Sequence, residues 1–445
     1  MKLNKTLAIG AIALAVSSYA SAAVNIYIVG SNGDRSATQK GIEDILSGSN
    51  WAFQGDKGAG NQSSGVVSNE AKVIASGYGA WTGTYNGTNV VIRVSYIGAA
   101  GALYALAKPN TERFVVADGS AGYTVSTALK SPYATNAVIT TDYTTNYPNF
   151  GLSTIFQGTS PYNGGTYDSL VSANVGVSPL VIVASQGAVN STIFPVSNIT
   201  SQQAQSLFEL GYLRLSAFTG NSADSNSIVY AIGRNSDAGQ RYAFQAETGI
   251  GTATSVKQWT NTLSGALTNG TTGVTYGGTA TASALWPVET VSGVNSTTIG
   301  NSGYSSGSLV ASLLTVTSRT APFRKNNATA IAGATNSYYV GYITIGDYNT
   351  TVTNNPNATL LGYNGVTYSS NNLVNGEYTP WVYNRVLERS DARIAGGALS
   401  DANIAAFKDA LTSDITTSAG SANGGILINS LNVSRGADGG IVTPN

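Results

Sequence analysis

Short apolar runs alternate along the chain with segments in which apolar residues recur at helical spacing. Several of the apolar runs end in a glycine-rich turn that opens a helix, an order typical of an open α/β sheet. In such sheets, ligands bind beyond the carboxyl ends of the strands. The predicted strands are 24–29, 89–97, 114–117, 177–184, 228–232, 338–345 and 377–386, and the predicted helices are 36–46, 102–107, 200–209, 305–316, 400–411 and one from Gln240 onward.

Two regions lack a clear period. Residues 121–174 are rich in Thr, Tyr, Asn and Gly, which predicts an insertion or long loops. Residues 261–283 have a similar composition and predict a flexible β-hairpin or a loop. No repeat with a fixed period appears along the chain.

The stretch 228–244 is the most informative one. Its strand runs into Gly233 and Arg234, then a small polar turn, and then a helix from Gln240. A strand that passes through such a turn into a helix directs backbone N–H groups and the positive end of the helix dipole at one point. The pattern therefore predicts an anion site.

Three arginines are candidates for binding that anion. Arg234 and Arg241 suit a bidentate clamp on an oxyanion, or else a surface or interlobe salt bridge. Arg35 lies at the start of the first predicted helix, where a cation opposes the helix dipole. That position indicates a nearby anion, or else a solvated side chain.

Composition excludes several kinds of chemistry. The chain has no cysteine and no histidine, so it cannot form disulfides, thiolate or histidine-ligated metal sites, or histidine-based nucleophile systems. Only 10% of the residues are charged, and the formal net charge is zero. The sequence lacks the stripe of basic residues that would indicate nucleic acid binding. We predict no enzyme activity, no metal and no cofactor.

The first residues read as a targeting segment. Two lysines, an apolar run over 7–16 and Ala20-Ser21-Ala22 predict a signal peptide over 1–22, with the mature chain starting at Ala23. No later apolar run is long enough for a membrane span. We expect a periplasmic, secreted or cell-surface protein.

The order of these segments resembles the periplasmic phosphate-binding proteins of ABC transporters. The similarity extends over most of the mature chain as an ordered series of short motifs. The motifs that carry it are Tyr27-Ile28-Val29-Gly30-Ser31, Ile97-Gly98-Ala99-Ala100-Gly101-Ala102, Val116-Ala117-Asp118-Gly119-Ser120, the segment Arg234 to Arg241, Asn301 to Ser308, Val340-Gly341-Tyr342, and the two predicted crossing strands near 177–184 and 377–386.

The resemblance implies a two-lobed α/β fold of the periplasmic-binding-protein kind, with two crossing strands as the hinge. Residues 23–185 and 376–445 would form the first lobe, with the insertion at about 121–174, and residues 186–375 the second. Asp118 would accept the proton of a protonated oxyanion, or else cap its own turn. The residues implied to bind the ligand are Ser31, Asn32, Gly33, Arg35, Gly98, Ala99, Ala100, Asp118, Arg234, Gly239 and Gln240.

The chain departs from the family pattern at the residues that would bind phosphate. Ala238-Gly239-Gln240 stands where the family has Ser-Gly-Thr, and Ala99 and Ala100 stand where it has paired serines. At least three hydroxyl donors are missing. Their loss weakens phosphate binding by several powers of ten unless Gln240, Asn32 or Arg35 replaces them.

Two functions follow from the sequence. The first is an exported solute-binding protein that binds phosphate or a related oxyanion between two lobes, with an ABC transporter permease as its partner. In the second, the fold serves as a scaffold with weak or no ligand binding, and the low-charge insertions serve assembly at the cell surface.

Overall fold

The computed structural model describes residues 23–56, 58–63, 66–68, 76–116, 143–264, 267–268, 275–276, 279–286, 303–304, 306–315, 318–320, 323–326, 328–353 and 355–445. The predicted signal peptide and Asp118 lie outside these residues. No helix in the described part of the chain has the length and the apolar character needed to cross a bilayer.

Helices and strands alternate for most of the described chain. The helices are α1 (Arg35–Leu46), α2 (Ala99–Ala107), α3 (Ser201–Leu210), α4 (Ser216–Thr219), α5 (Gly239–Thr248), α6 (Gly307–Thr315), α7 (Ile345–Asp347), α8 (Ser370–Val374) and α9 (Ala402–Thr417). The strands are β1 (Val24–Gly30), β2 (Ala52–Gly55), β3 (Gly58–Ser63), β4 (Val66–Ser68), β5 (Tyr78–Tyr85), β6 (Thr88–Tyr96), β7 (Glu112–Val115), β8 (Tyr143–Asn146), β9 (Phe150–Ser153), β10 (Leu170–Ser185), β11 (Asn198–Ile199), β12 (Tyr212–Arg214), β13 (Ser227–Ile232), β14 (Trp259–Ser264), β15 (Leu267–Thr268), β16 (Thr275–Tyr276), β17 (Thr279–Leu285), β18 (Ser318–Thr320), β19 (Asn336–Thr344), β20 (Ala358–Tyr363), β21 (Trp381–Arg389), β22 (Ile426–Leu427), β23 (Val433–Ser434) and β24 (Thr443–Pro444).

One large mixed sheet runs through the molecule in the order β12-β13-β19-β10-β21-β9-β1-β6-β5-β2-β3-β4. Strand β1 is parallel to both β6 and β9, and β13 is parallel to β19. Strands β10 and β21 pair antiparallel in the middle of the sheet. The α/β class predicted from the sequence is confirmed.

The two long central strands join two lobes. We call the side with β1–β9, α1, α2 and α9 the first lobe, and the side with β11–β20 and α3–α8 the second lobe. The first part of β10 pairs with β21, and its last residues, from Leu180, pair with β19. The residue boundaries of the lobes proposed from the sequence stay a prediction.

Each lobe buries apolar side chains on both faces of its part of the sheet. In the first lobe, α1 and α9 cover one face and α2 covers the other. In the second lobe, α6 covers one face, whereas α3 and α5 cover the other. A helix can bury only one apolar stripe, so a sheet covered on both faces needs helices on each side.

The helix ends follow sequence signals. Thr200 precedes α3 and forms a capping box with Gln203, in which each side chain binds the other residue's backbone N–H. Asp401 precedes α9 and accepts from the N–H groups of Asn403 and Ile404. Both helices were predicted, although α9 continues six residues beyond the predicted end at Leu411.

Three sequence predictions were wrong in detail. Residues 143–174 are not only loops, because β9 lies inside the main sheet and β10 begins at Leu170 rather than Val177. Among the described strands, β7 pairs with β8 alone, outside the large sheet. The strand predicted from Glu377 begins at Trp381, directly after Pro380, which cannot donate to a sheet. Residues 121–142 of the predicted insertion lie outside the described residues.

Candidate functional site

The turn after β1 brings Ser31 and Gly33 to the boundary between the lobes. The Ser31 Oγ accepts from the Gly33 N–H at 2.9 Å and lies 3.3 Å from Oγ1 of Thr154, which follows β9. Gly33 faces Thr154 so closely that an added Cβ would lie 2.9 Å from its Cγ2. Asn32 lies between them, and Arg35 is the first residue of α1.

The turn after β6 places the start of α2 beside the second lobe. Gly98 has a φ of 91°, which favours glycine, and its N–H donates to the carbonyl of Gly30 at 3.1 Å. The N–H of Ala100 donates to the carbonyl of Asp237 in the second lobe at 3.3 Å. One of the N-terminal donors of α2 is therefore occupied by the protein itself.

The turn after β13, in the second lobe, also contacts the first lobe. A Cβ added to Gly239 would overlap Oγ1 of Thr154 and lie 2.7 Å from Cβ of Ala99. The Gln240 side chain reaches toward Gly33, since its Nε2 lies 3.9 Å from the Cβ position there. The three turns that the sequence singled out, at 30–33, 98–101 and 237–240, thus meet at one junction between the lobes.

Apolar packing closes the junction beside these turns. Tyr242 and Ala243 of α5 belong to the same buried cluster as Ile155 and the α2 residue Leu103. The N-terminus of α5 is therefore seated on the first lobe.

Arg234 packs into the second lobe. It is almost fully buried in the second lobe, and its Nε donates to the carbonyl of Tyr304 at 3.0 Å. Its backbone N–H donates to the hydroxyl of Tyr342 at 3.2 Å. One terminal guanidinium nitrogen lies 3.5 Å from the Cβ position of Gly307, the first residue of α6.

A small cleft lies next to the junction, where the first turn of α1 faces the second lobe. Gly33 and Ala37 form one wall, and Thr344 to Gly346 form the opposite one. Ser178 and Asn384 of the two central strands line it as well, joined by a hydrogen bond of 2.8 Å. The last part of its wall is Ala422, Asn423 and Gly425.

Charged groups from both lobes flank the cleft. Asp347 directly follows its lining residues and is half-buried. Loss of solvent raises the pKa of its carboxyl, while the Thr344 hydroxyl and the charges of Arg234 and Arg35 oppose that rise. Arg35 comes from the first lobe, and its Nε is buried without a hydrogen-bond partner in the part of the chain that the structure describes. Arg35 itself is not among the residues that line the cleft, but Gly33 and Ala37 on either side of it in the sequence are.

The site also contains two buried charged residues that the sequence analysis did not single out. Asp34 is fully buried, and neither carboxyl oxygen has a hydrogen-bond partner among the residues that the structure describes. Burial raises its pKa well above the ordinary value, with an opposing effect from the charge of Arg385. Arg385 lies 3.2 Å over the ring of Phe156, and burial lowers its pKa to about 10. Within the described ranges, its Nε and Nη2 have no hydrogen-bond partner.

The buried Asp34 carboxyl makes the stability of the fold depend on pH. Because its folded-state pKa is raised, the folded protein binds a proton that the unfolded chain releases, so stability is lost as pH rises through that pKa. We expect Asp34→Asn to reduce the fall in unfolding free energy between pH 5 and 8, and to be about 1 to 3 kcal/mol more stable than the parent protein at pH 8. Urea unfolding at a series of pH values measures this.

The matched control is Asp44→Asn, on the same helix, where the carboxylate forms a surface ion pair with Lys40. It should keep the pH slope of the parent protein. An Asp34→Asn slope equal to that of the parent would show that Asp34 is not held in the state described here.

No group of three or more acidic side chains in the described part of the chain is placed to hold a metal ion. Asp118 is outside that part, so its relation to the junction is not described. Arg241 is buried on α5, near enough to Tyr342 for its charge to oppose the rise in the pKa of that phenol to about 12.

No protein-family model matches the chain, and no curated protein matches it in sequence. Among solved structures, it is similar to an ABC-type phosphate transport receptor from Vibrio cholerae, with 13% identity over 90% of this chain and 99% of the other and a TM-score of 0.42. It is similar to PstS from Borrelia burgdorferi, with 10% identity, 91% and 98% coverage and a TM-score of 0.37. A weaker similarity is to OxyR from Corynebacterium glutamicum, with 6% identity, 90% and 69% coverage and a TM-score of 0.32. The first two belong to the kind of protein that the sequence resembles.

Proposed function

We propose that the protein is a solute-binding protein that takes a small oxyanion, inorganic phosphate or a relative of it, in the cleft between its two lobes. The observation that carries the proposal is the buried Arg35 Nε, which has no hydrogen-bond partner among the described residues and lies at the N-terminus of α1 beside a polar cleft. An anion there gains both a charge-assisted hydrogen bond and the favourable end of the helix dipole.

The proposed roles follow from position. Arg35 donates to the anion directly, and the first-turn amides of α1 add further donors. Arg234 acts from behind the opposite wall as a buried positive charge. Gly98, Ala99, Ala100, Gly239 and Gln240 hold the lobes together at the junction, so their part is to close the cleft rather than to bind its occupant.

Export and delivery belong to the same proposal. The signal-like segment over 1–22 would place the protein outside the cytoplasmic membrane, in the periplasm or at the cell surface. There the bound anion would be passed to an ABC-type permease, which the sequence resemblance implies.

Isothermal titration calorimetry with inorganic phosphate tests the binding role. We expect the parent protein to bind phosphate, and Arg35→Gln to bind it about 10- to 100-fold more weakly, because a hydrogen bond to a charged group contributes about 1.5 to 3 kcal/mol. Lys40→Gln on the same helix should bind as the parent does. An absence of binding by the parent protein at millimolar phosphate would contradict the proposal.

One observation favours the scaffold alternative. The Ala100 N–H is already bonded to Asp237, and Thr154 fills the space in front of the α5 N-terminus, so part of the region that would face an anion is occupied by the protein itself. A rigid, closed fold suits assembly at a surface. Light scattering of the purified protein distinguishes the two: ordered assemblies would support the scaffold role, and a strict monomer would count against it.

A further inference from the structure

The C-terminal segment, residues 431–445, forms a hairpin that lies over the junction of the two lobes. Its strands β23 and β24 pair antiparallel. Leu431, Val433 and Arg435 alternate with more exposed residues, so the hairpin has a buried inner face and a solvent-exposed outer face. This hairpin contacts three different parts of the molecule through that inner face.

The first contact is with the second lobe. Nη1 of Arg435 lies 3.0 Å from Oε2 of Glu247 in the last turn of α5, and the side chains are only 1% and 10% exposed. Further along the hairpin, Gly439 has a φ of 66°, and a Cβ added there would overlap the backbone of Ala246. The hairpin backbone therefore lies directly on α5.

The second contact is with the first lobe. Oδ2 of Asp438 accepts from the N–H of Phe156 at 2.8 Å. Phe156 directly precedes the 3-10 turn Gln157–Thr159, which follows β9 of the first lobe. The Asp438 side chain is buried, so this hydrogen bond is shielded from water.

The third contact is with the region of the central strand β21. The Arg435 N–H donates to the hydroxyl of Tyr383 at 3.3 Å, and Nη1 donates to the carbonyl of Thr379 at 3.2 Å. The guanidinium lies 3.8 Å over the ring of Trp381. The base of the hairpin is therefore fixed where the two lobes are joined, and its tip spans both.

We propose that the C-terminal hairpin is a clasp that holds the two lobes closed and that its release controls access to the cleft. Arg435 and Gly439 bind it to α5 of the second lobe, and Asp438 binds it to the first lobe. The lobes cannot separate unless one of these contacts breaks. The control of access rests on the proposed function, whereas the closing of the lobes does not.

Distance measurement between spin labels tests the clasp without any ligand. The chain has no cysteine, so Gly48→Cys on the first lobe and Gln202→Cys on the second give two unique labelling positions. Both positions are exposed. We expect Asp438→Ala to raise the population of a longer interlobe distance about 10- to 100-fold, as loss of a charge-assisted hydrogen bond predicts.

Asp401→Ala is the matched control, because Asp401 also accepts from backbone N–H groups but caps a helix within the first lobe. It should lower stability and leave the distance distribution unchanged. Asp438→Asn keeps an acceptor oxygen and should restore the short distance. Gly439→Ala breaks the opposite contact, with α5, and should populate the longer distance as Asp438→Ala does.

The outcomes separate the clasp from the proposed function. If folded Asp438→Ala or Gly439→Ala shows the distance distribution of the parent protein, the clasp is wrong, whatever the protein binds. If the longer distance is populated but calorimetry detects no phosphate binding by the parent, the clasp stands and the oxyanion role fails. If both hold, phosphate should associate faster with Asp438→Ala than with the parent protein.

Discussion

Arg435→Met is expected to lower the free energy of unfolding by about 3 to 5 kcal/mol, because it leaves the carboxylate of Glu247 buried without its charged partner. The two side chains form an ion pair of 3.0 Å and are almost completely buried. Burial already raises the pKa of Glu247, and the charge of Arg435 is the main opposing effect. Methionine keeps apolar contact with the ring of Trp381, so the loss reports chiefly on the ion pair. Chemical denaturation at pH 7 measures it.

A double variant separates the contribution of the Arg435–Glu247 ion pair to stability from the contribution of side-chain packing. In Glu247→Gln/Arg435→Met no charge remains, and the glutamine oxygen still accepts from the Thr379 hydroxyl, which bonds to Glu247 in the parent protein. This variant should recover most of the loss. Arg393→Met is the control, since Arg393 is 44% exposed and its ion pair with Glu388 should contribute about 1 kcal/mol or less. A loss of under 1 kcal/mol in Arg435→Met would contradict the buried ion pair.

Gly239→Ala is expected to lower the free energy of unfolding by about 1 to 3 kcal/mol, since a methyl group has no room between the lobes. Its Cβ would overlap Oγ1 of Thr154 and crowd Ala99. The neighbours belong to the other lobe, so α5 must move away from the first lobe to accept the new atom. Thermal and chemical unfolding both measure the effect.

Two further variants define the cause of this loss. Gly48 follows the end of α1, and a Cβ added there would lie within 4 Å of none of the described atoms. The stability of Gly48→Ala should therefore stay within about 0.5 kcal/mol of that of the parent protein. Gly239→Ala/Thr154→Ala removes the overlapping oxygen and should restore part of the loss. If Gly239→Ala is as stable as the parent, the lobes do not meet at this residue.

The sequence predicted the elements whose patterns are strong. Strand β13 coincides with an apolar run, and helix α3 begins directly after a capping box. Both signals depend only on residues that are neighbours in the sequence. It failed for β9, whose four residues Phe150–Ser153 are too short to show alternation. That strand exists because β1 and β21 pair with it on either side, which is a tertiary effect.

In the candidate site, too, residues with a local sequence signal were predicted and residues placed by tertiary contacts were missed. The turns at 30–33, 98–101 and 237–240 were found because glycine-rich turns at strand ends have a local signature. Arg385 was missed because it lies within the apolar strand β21, where the pattern predicts only pairing. Thr154 was missed because it falls in a region without periodicity. Asp34 stands beside Arg35 in the sequence, but nothing in the sequence shows that its carboxyl is buried without a partner.

We propose that a small oxyanion binds in the cleft between the start of α1 and the segment before Asp347. Hydrogen exchange measured by mass spectrometry, with and without inorganic phosphate, tests it most directly. We expect slower exchange in peptides that contain residues 31–37 and 344–347, and no change in Arg35→Gln at the same phosphate concentration. Unchanged exchange in both segments of the parent protein at saturating phosphate would contradict it.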